Sequence, residues 1–329
     1  MKALLCEAFG PPENLRLREV AMPEPGRGQI RIRVRSAGLN FPDALIIQNK
    51  YQFRPTLPFS PGGEAAGEVD ALGEDVTGFA LGDRVAAITM HGAFAEYVLA
   101  EANRTTRIPA SMDLRTAGGF TLTYATAHHA LKQRAALRPG ETVLVLGAAG
   151  GVGLAAVEIA KAMGAAVIAA ASSEEKLTLA RAHGADETFN YEQADFRESI
   201  KQLTAGRGPN VIFDPVGDRF AEPAFRSIAW EGRYLVIGFA GGQVPSIPLN
   251  LPLLKGASIV GVFWGGFVSR TPEVHRQNME ELYAWHAQGR IKPLVSRTFP
   301  LERGSEAIRW MMDRKALGKV IVTVDERAG

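Results

Sequence analysis

The rhythm of hydrophobic and polar positions changes near Thr123. Before it, short runs repeat with a period of two. QIRIRVRSAG (29–38) sets Ile30, Ile32 and Val34 against Arg31, Arg33 and Arg35, the pattern of a half-buried strand. EAAGEVDALG, GDRVAAIT and GAFAEYVLA read as further strands joined by glycine turns, and helical periodicity is scarce. This part predicts a mostly β domain. After Thr123, TYATAHHALKQRAALRPGE is helical and stops at Arg138-Pro139-Gly140. Strands and helices then alternate. TVLVLG, AVIAAA, DETFN, NVIFDPVG, GRYLVIG and ASIVGVF are predicted strands, and 151–164, 174–183, 194–205 and 218–229 are predicted helices. Such alternation implies βαβ units and a parallel sheet covered on both faces. The tail opens with a helix at Thr271-Pro272 and continues strand, helix, strand, the last strand being expected to return to the first domain. The expected α/β organisation is therefore 1–124, 125–268 and a returning segment 269–329, with no internal repeat.

Composition narrows the classes. The chain has 329 residues, 46% hydrophobic and 22% charged, as an ordinary globular protein does. With 37 basic and 35 acidic residues the net charge is 37 − 35 = +2, and no basic concentration suggests a nucleic-acid partner. Cys6 is the only cysteine, so neither an intrachain disulfide nor a multi-cysteine zinc site is available. A buried, inert thiol in the first strand is expected. MKALLCEAFG is too soon interrupted by Glu7 to be a signal peptide, and no run reaches the ~18 apolar residues of a membrane span. A cytoplasmic protein is the expectation.

The chemistry begins in LVLGAAGGVG, between a predicted apolar strand and a predicted helix. Read as A-x-G-x-x-G from Ala148, it puts Gly150 where backbone approaches a pyrophosphate and Gly153 where the helix packs close to the strand. Gly147 beside Ala148 relieves the turn. The amides of Ala149, Gly150, Gly151, Val152 and Gly153 then face the phosphates at the positive helix end. The alternative is a tight turn with no ligand. NAD binding wants an acid about 20 residues on, at the tip of the second strand. That tip is Ser172-Ser173, with Glu174 and Glu175 already in the first helical turn, where Ser172 and Glu175 make a capping box. A hydroxyl at Ser172 and an ammonium at Lys176 suit a 2′-phosphate, which favours NADPH over NADH. The alternative for Lys176 is a solvated helix residue.

These residues, with AGLNFPDALIIQNKYQ (37–52), PFSPGGEAAGEV (58–69), GDRV (82–85), GAFAEY (92–97) and the closing GKVIVTV, resemble the zinc-free quinone oxidoreductase (zeta-crystallin-like) branch of the medium-chain dehydrogenase/reductase superfamily. The resemblance covers essentially the whole chain. It implies a GroES-like catalytic domain, a Rossmann domain, a cofactor cleft between them and a homodimer. The zinc alcohol dehydrogenases of that superfamily carry Cys where this chain has Asn40 and His where it has Gly63, so no metal is expected. His128 and His129 are adjacent on a predicted helix, about 100° apart, and do not easily share an ion. Without a Lewis acid, the feasible acceptor is one already electrophilic, a quinone or conjugated enone, whose developing charge a few donors can stabilise.

The resemblance implies roles residue by residue. Asn40 lies near the nicotinamide, contacting either its ribose or the acceptor oxygen. Tyr51 is the candidate proton donor, or else a loop aromatic at a domain seam. Asp43 is either in the pocket or structural within its loop. Thr126 touches nicotinamide or caps a helix. Tyr191 lies near the 2′-phosphate, Phe239 and Ala240 near the carboxamide, and Lys319 on the adenosine side. Phe263, Trp264 and Gly265 lie near the nicotinamide, with packing at a subunit seam as the alternative for the two aromatics. The rival readings are an enoyl- or acryloyl-CoA-type alkene reductase and a non-catalytic NADPH-binding protein.

Overall fold

The computed structural model describes residues 1–324. The first part contains strands β1 (Lys2–Leu5), β2 (Arg16–Glu19), β3 (Gln29–Gly38), then helix α1 (Phe41–Ile46), β4 (Glu64–Leu72), β5 (Arg84–Ile88), β6 (Tyr97–Glu101), β7 (Thr105–Arg107) and α2 (Leu114–Ala117). Helix α3 (Thr121–His129) leads to β8 (Thr142–Leu146), α4 (Gly151–Ala162), β9 (Ala166–Ala171), α5 (Glu174–Ala182), β10 (Glu187–Asn190), α6 (Phe196–Leu203), β11 (Val211–Asp214), α7 (Ala221–Arg226), β12 (Arg233–Val236), α8 (Asn250–Lys255), β13 (Ser258–Gly261) and α9 (Trp264–Arg270). The chain closes with α10 (Pro272–Ala287), β14 (Val295–Pro300), α11 (Gly304–Met312) and β15 (Lys319–Thr323).

Two compact units result. One comprises 1–122, 272–283 and 293–329, of which residues through 324 are described; the other comprises 123–271 and 284–292. The returning segment is thus split. Residues 284–292 pack with the second unit because the Trp285 ring meets His128 edge-on and the Lys292 N–H donates to Glu158.

In the first unit the strands order β14-β15-β3-β4-β5-β7, with β6 also pairing β3. Alternation in β3 buries Ile30, Ile32 and Val34 completely, and these join Phe94, Val320 and Val322 in one core. β15 runs antiparallel to β3 with Val322 opposite Ala37. That register sets Lys319, at the head of β15, beside the end of β3. Cys6 is buried, and burial raises its thiol pKa.

In the second unit all six strands are parallel in the order β10-β9-β8-β11-β12-β13, the dinucleotide-binding order with its switch point beside β8. β8, β9 and β11 are apolar on both faces, as helices on both sides demand. Four helices escape the periodicity reading: α1, α2, α8 and α9 are only four to seven residues long. The predicted helix 218–229 is a 3₁₀ turn, Asp218–Phe220, followed by α7.

Candidate functional site

The first unit carries a buried polar cluster at the end of β3. Gly38 lacks a side chain where Glu64 Oε1 and the Gly118 carbonyl fill the space. Two residues on, Asn40 caps α1, and its backbone N–H donates to Asp43 Oδ2 at 2.8 Å. Glu64 and Lys319 stand at the heads of two apolar strands, with side chains 1% and 6% exposed. The Lys319 ammonium donates to Glu64 Oε1 at 2.7 Å, Asn40 Oδ1 at 2.8 Å and the Leu39 carbonyl at 2.9 Å. Glu64 also accepts the Asn40 amide at 2.8 Å and the Leu122 N–H at 2.9 Å. Every ammonium hydrogen has an acceptor, which is what makes so deep a charge tolerable. Removing either ion alone leaves the other uncompensated, a loss of about 3–5 kcal/mol.

Asp43 lies beside this pair and is itself fully buried. Burial pushes its carboxyl pKa up to about 7; N–H donors at Asn40 and Gly62 and the Lys319 charge oppose the rise, and the Glu64 charge adds to it. Tyr51 is half-buried, and burial followed by the Asp43 charge raises its phenol above the ordinary range. The phenol therefore keeps its proton at neutral pH. Gly63 leaves a notch in which a Cβ would lie 3.6 Å from the Met90 carbonyl and 3.9 Å from Asp43 Oδ1.

The second unit carries the glycine loop. Gly147 holds a φ of 58°, the left-handed turn that a side chain resists, while the fully buried Ala148 avoids it. A Cβ on Gly153 would collide with the Gly147 carbonyl, so its absence serves helix–strand packing. A Cβ on Gly150 would meet only that carbonyl, at 3.4 Å. Packing does not require glycine there. The first N–H groups of α4, from Gly151, Val152 and Gly153, precede the first helical acceptor and are available to an anion.

At the tip of β9 the N-cap of α5 is Ser173, whose Oγ accepts from the Lys176 N–H, and not the expected Ser172. Ser172 instead accepts from Lys176 Nζ at 3.1 Å, and the neighbouring Tyr191 N–H donates to the Ala171 carbonyl at 3.2 Å. Ser172, Lys176 and Tyr191 thus gather at the carboxyl ends of adjacent strands β9 and β10, where parallel sheets bind ligands.

The remaining expected residues lie as follows. Phe239 and Ala240 follow β12, the Ala240 N–H donating to the Pro215 carbonyl at 3.0 Å, and Phe239 borders a groove with Val236, Val244 and Ile259. Phe263 is 65% exposed at the start of α9, Trp264 is buried, and Gly265 follows in the first turn. Thr126 is buried in α3. Lys319, expected on the adenosine side, has its ammonium committed to Leu39, Asn40 and Glu64. Sequence reasoning passed over Glu64 as a partner, although a charge opening an apolar run such as EAAGEV signals a buried pair. It also passed over Asp214, which takes the Tyr234 hydroxyl and the N–H groups of Val216 and Gly217 at the end of β11, and over Glu158, which binds Tyr124, His183 and Lys292. Among the described residues no group of three His, Cys, Asp or Glu could hold a metal ion. No helix there is long and apolar enough to cross a membrane.

Residues 26–110 match the family described as Alcohol dehydrogenase GroES-like domain, and residues 151–283 the one described as Zinc-binding dehydrogenase. The chain is 39% identical over 324 residues to mouse quinone oxidoreductase-like protein 2, which covers 98% of this chain and 92% of that protein. It is 36% identical to a quinone oxidoreductase of Pseudomonas aeruginosa, over 98% and 99% of the two chains. The solved structure of Escherichia coli quinone oxidoreductase complexed with NADPH superposes with a TM-score of 0.93 at 28% identity, over 98% of this chain and 100% of that one. The chain belongs to the quinone oxidoreductase branch of the medium-chain dehydrogenase/reductase superfamily, with its GroES-like and Rossmann-like sheets.

Two expectations follow. Gly153→Ala should lower the unfolding temperature, while Gly150→Ala should leave it near wild type and weaken binding of a phosphate-bearing nucleotide; equal destabilisation by both would contradict the division of roles. A carboxyl raised from 3.8 to about 7 binds more protons folded than unfolded in that window, so its stabilising contribution is lost as pH rises. The isosteric Asp43→Asn should therefore gain about 2 kcal/mol relative to wild type between pH 5.5 and 7, then level off. Denaturant unfolding measures this, and a difference independent of pH would refute the assignment.

Proposed function

We propose that the chain is an NADPH-dependent reductase that delivers hydride to a quinone or conjugated enone without zinc. The observation that carries the reading is the Lys319 ammonium among Asn40, Glu64 and Leu39. A cation of the protein's own already neutralises the carboxylate, and Asn40 and Gly63 offer no metal ligand. The relatives named quinone oxidoreductase or quinone oxidoreductase-like, and the NADPH complex of the Escherichia coli protein, support the NADPH-dependent reductase part of the reading.

NADPH supplies the hydride. The loop from Ala149 through Gly150 to Gly151, Val152 and Gly153 would hold its pyrophosphate, through the N–H groups of Gly151, Val152 and Gly153, since the Gly150 N–H donates to the Gly147 carbonyl at 3.0 Å. Ser172, Lys176 and Tyr191 would hold the 2′-phosphate through a hydroxyl, an ammonium and a phenol, with no carboxylate at the β9 tip to repel it. Phe239, Ala240, Phe263, Trp264, Gly265 and Thr126 would lie toward the nicotinamide end. The acceptor gains two electrons and one proton with the hydride, and needs a second proton on its oxygen. Tyr51, which keeps its proton at neutral pH, is the candidate donor, and Asp43, whose carboxyl burial raises to about 7, is the candidate group to return the proton to it.

A homodimer fits the edge of the second sheet. Among the described residues β13 has no neighbour beyond it, and Ile259, like Leu249, Leu253 and Leu254 just before it in the chain, is exposed. Two copies joined at β13 would cover it, and light scattering should give the mass of two chains, Ile259→Lys that of one. A wild-type monomer would refute the pairing.

The functional reading is tested by NADPH oxidation in the presence of a naphthoquinone. Turnover is expected, with Lys176→Ala losing most of the preference for NADPH over NADH. No turnover across quinones and enones would refute the reaction; an unchanged preference would refute the phosphate site.

A further inference from the structure

We propose that Lys319 and Glu64 are positioning residues which hold the Asn40 amide as a hydrogen-bond acceptor only, so that it receives a hydroxyl or amide N–H of a bound ligand and never the oxygen of a hydride acceptor. The inference rests on the functional reading above and divides the work within that site.

A primary amide has two N–H donors and one carbonyl oxygen. In Asn40 both donors are committed, one to Glu64 Oε1 at 2.8 Å and one to the Gly38 carbonyl at 3.2 Å. The oxygen accepts from Lys319 Nζ at 2.8 Å. Turning the amide over would set its NH2 against an ammonium and its oxygen against a carboxylate. In a pair with side chains 6% and 1% exposed, neither repulsion is screened by water. The buried charges thus choose the orientation, and the only capacity left to a ligand is at Oδ1.

This choice separates the two partners that Asn40 was expected to meet. A quinone or enone oxygen accepts hydrogen bonds and has none to give. A cofactor ribose hydroxyl or carboxamide N–H can give one. Asn40 therefore belongs to the cofactor side, and charge developing on the acceptor oxygen must be met by another donor, of which Tyr51 is the candidate. Lys319 acts on the cofactor through Asn40 and not by direct contact, since Leu39, Asn40 and Glu64 take its three hydrogens.

The test is a fluorescence titration of NADPH onto the full chain without acceptor, alongside steady-state kinetics with a naphthoquinone. Three variants are compared with wild type: Asn40→Ala; Lys319→Met combined with Glu64→Gln, which removes both charges together; and all three changes at once. Asn40→Ala is expected to raise the NADPH Kd by about 3- to 10-fold, the worth of one hydrogen bond, with kcat at saturation within about twofold. The charge-free pair should weaken NADPH by the same factor, and the triple variant no further, because positioning through Asn40 makes the losses non-additive. An unchanged Kd with kcat down about 100-fold in Asn40→Ala would make the amide a donor to the acceptor and overturn the inference. Losses that multiply in the triple variant would make Lys319 a direct cofactor ligand and overturn it too. Should the charge-free pair fail to unfold cooperatively, Asn40→Ala alone decides between the two partners. Wild-type protein that does not bind NADPH overturns the functional reading itself, an outcome distinct from wild-type-like binding by Asn40→Ala.

Discussion

One buried ion pair organises the first unit. Glu64 at the head of β4 and Lys319 at the head of β15 are 255 residues apart in the chain, yet meet at 2.7 Å with almost no exposure. Desolvating both charges costs several kcal/mol, and it is tolerated because each remaining polar atom finds a partner. The partners are the important part. Through Leu39 and Asn40 the pair fixes the turn from β3 into α1, and through the Leu122 N–H it fixes the end of the unit's first long segment. Asp43 and Tyr51 inherit their electrostatics from the same neighbourhood: the Lys319 charge restrains the Asp43 carboxyl, and the Asp43 charge raises the Tyr51 phenol. A polar core of this kind sets where protons reside around Asn40, Asp43 and Tyr51.

The second unit depends on a different constraint, the closeness of α4 to β8. Gly153 admits the Gly147 carbonyl where any side chain would collide, and Gly147 makes the left-handed turn in its place in the chain. That arrangement explains how Ala148 can stand at the first position of the fingerprint. The turn that usually needs glycine there is displaced by one residue, and the amides of the helix start remain free for an anion. Gly150 is left as a loop position whose missing side chain packing does not explain.

Much of this was legible in the chain because the signals are local. β3 and β4 announce themselves by alternation, and the central strands of the parallel sheet by continuous apolar runs. The glycine loop is contiguous, and Ser172 and Lys176 lie one helical turn apart, so their meeting follows from spacing alone. Helices α1, α2, α8 and α9 are too short for a 3.6-residue period to be recognised. The division of 269–329 was not readable either, since it depends on what Trp285 and Lys292 touch. The resemblance puts Lys319 on the adenosine side, but GKVIVTV itself shows only a cation opening a strand. Its acceptors come from residues 39, 40 and 64, and the β15–β3 register alone brings them together.

On the function proposed, hydride reaches a conjugated acceptor in a site that uses its own ammonium, phenol and carboxyl groups in place of a metal. The most direct test is quinone-dependent NADPH oxidation by protein dialysed against a strong chelator and checked for metal by mass spectrometry. Metal-free protein should keep its full rate, and added zinc should not raise it. Loss of turnover on chelation, restored by stoichiometric zinc, would contradict the proposed function.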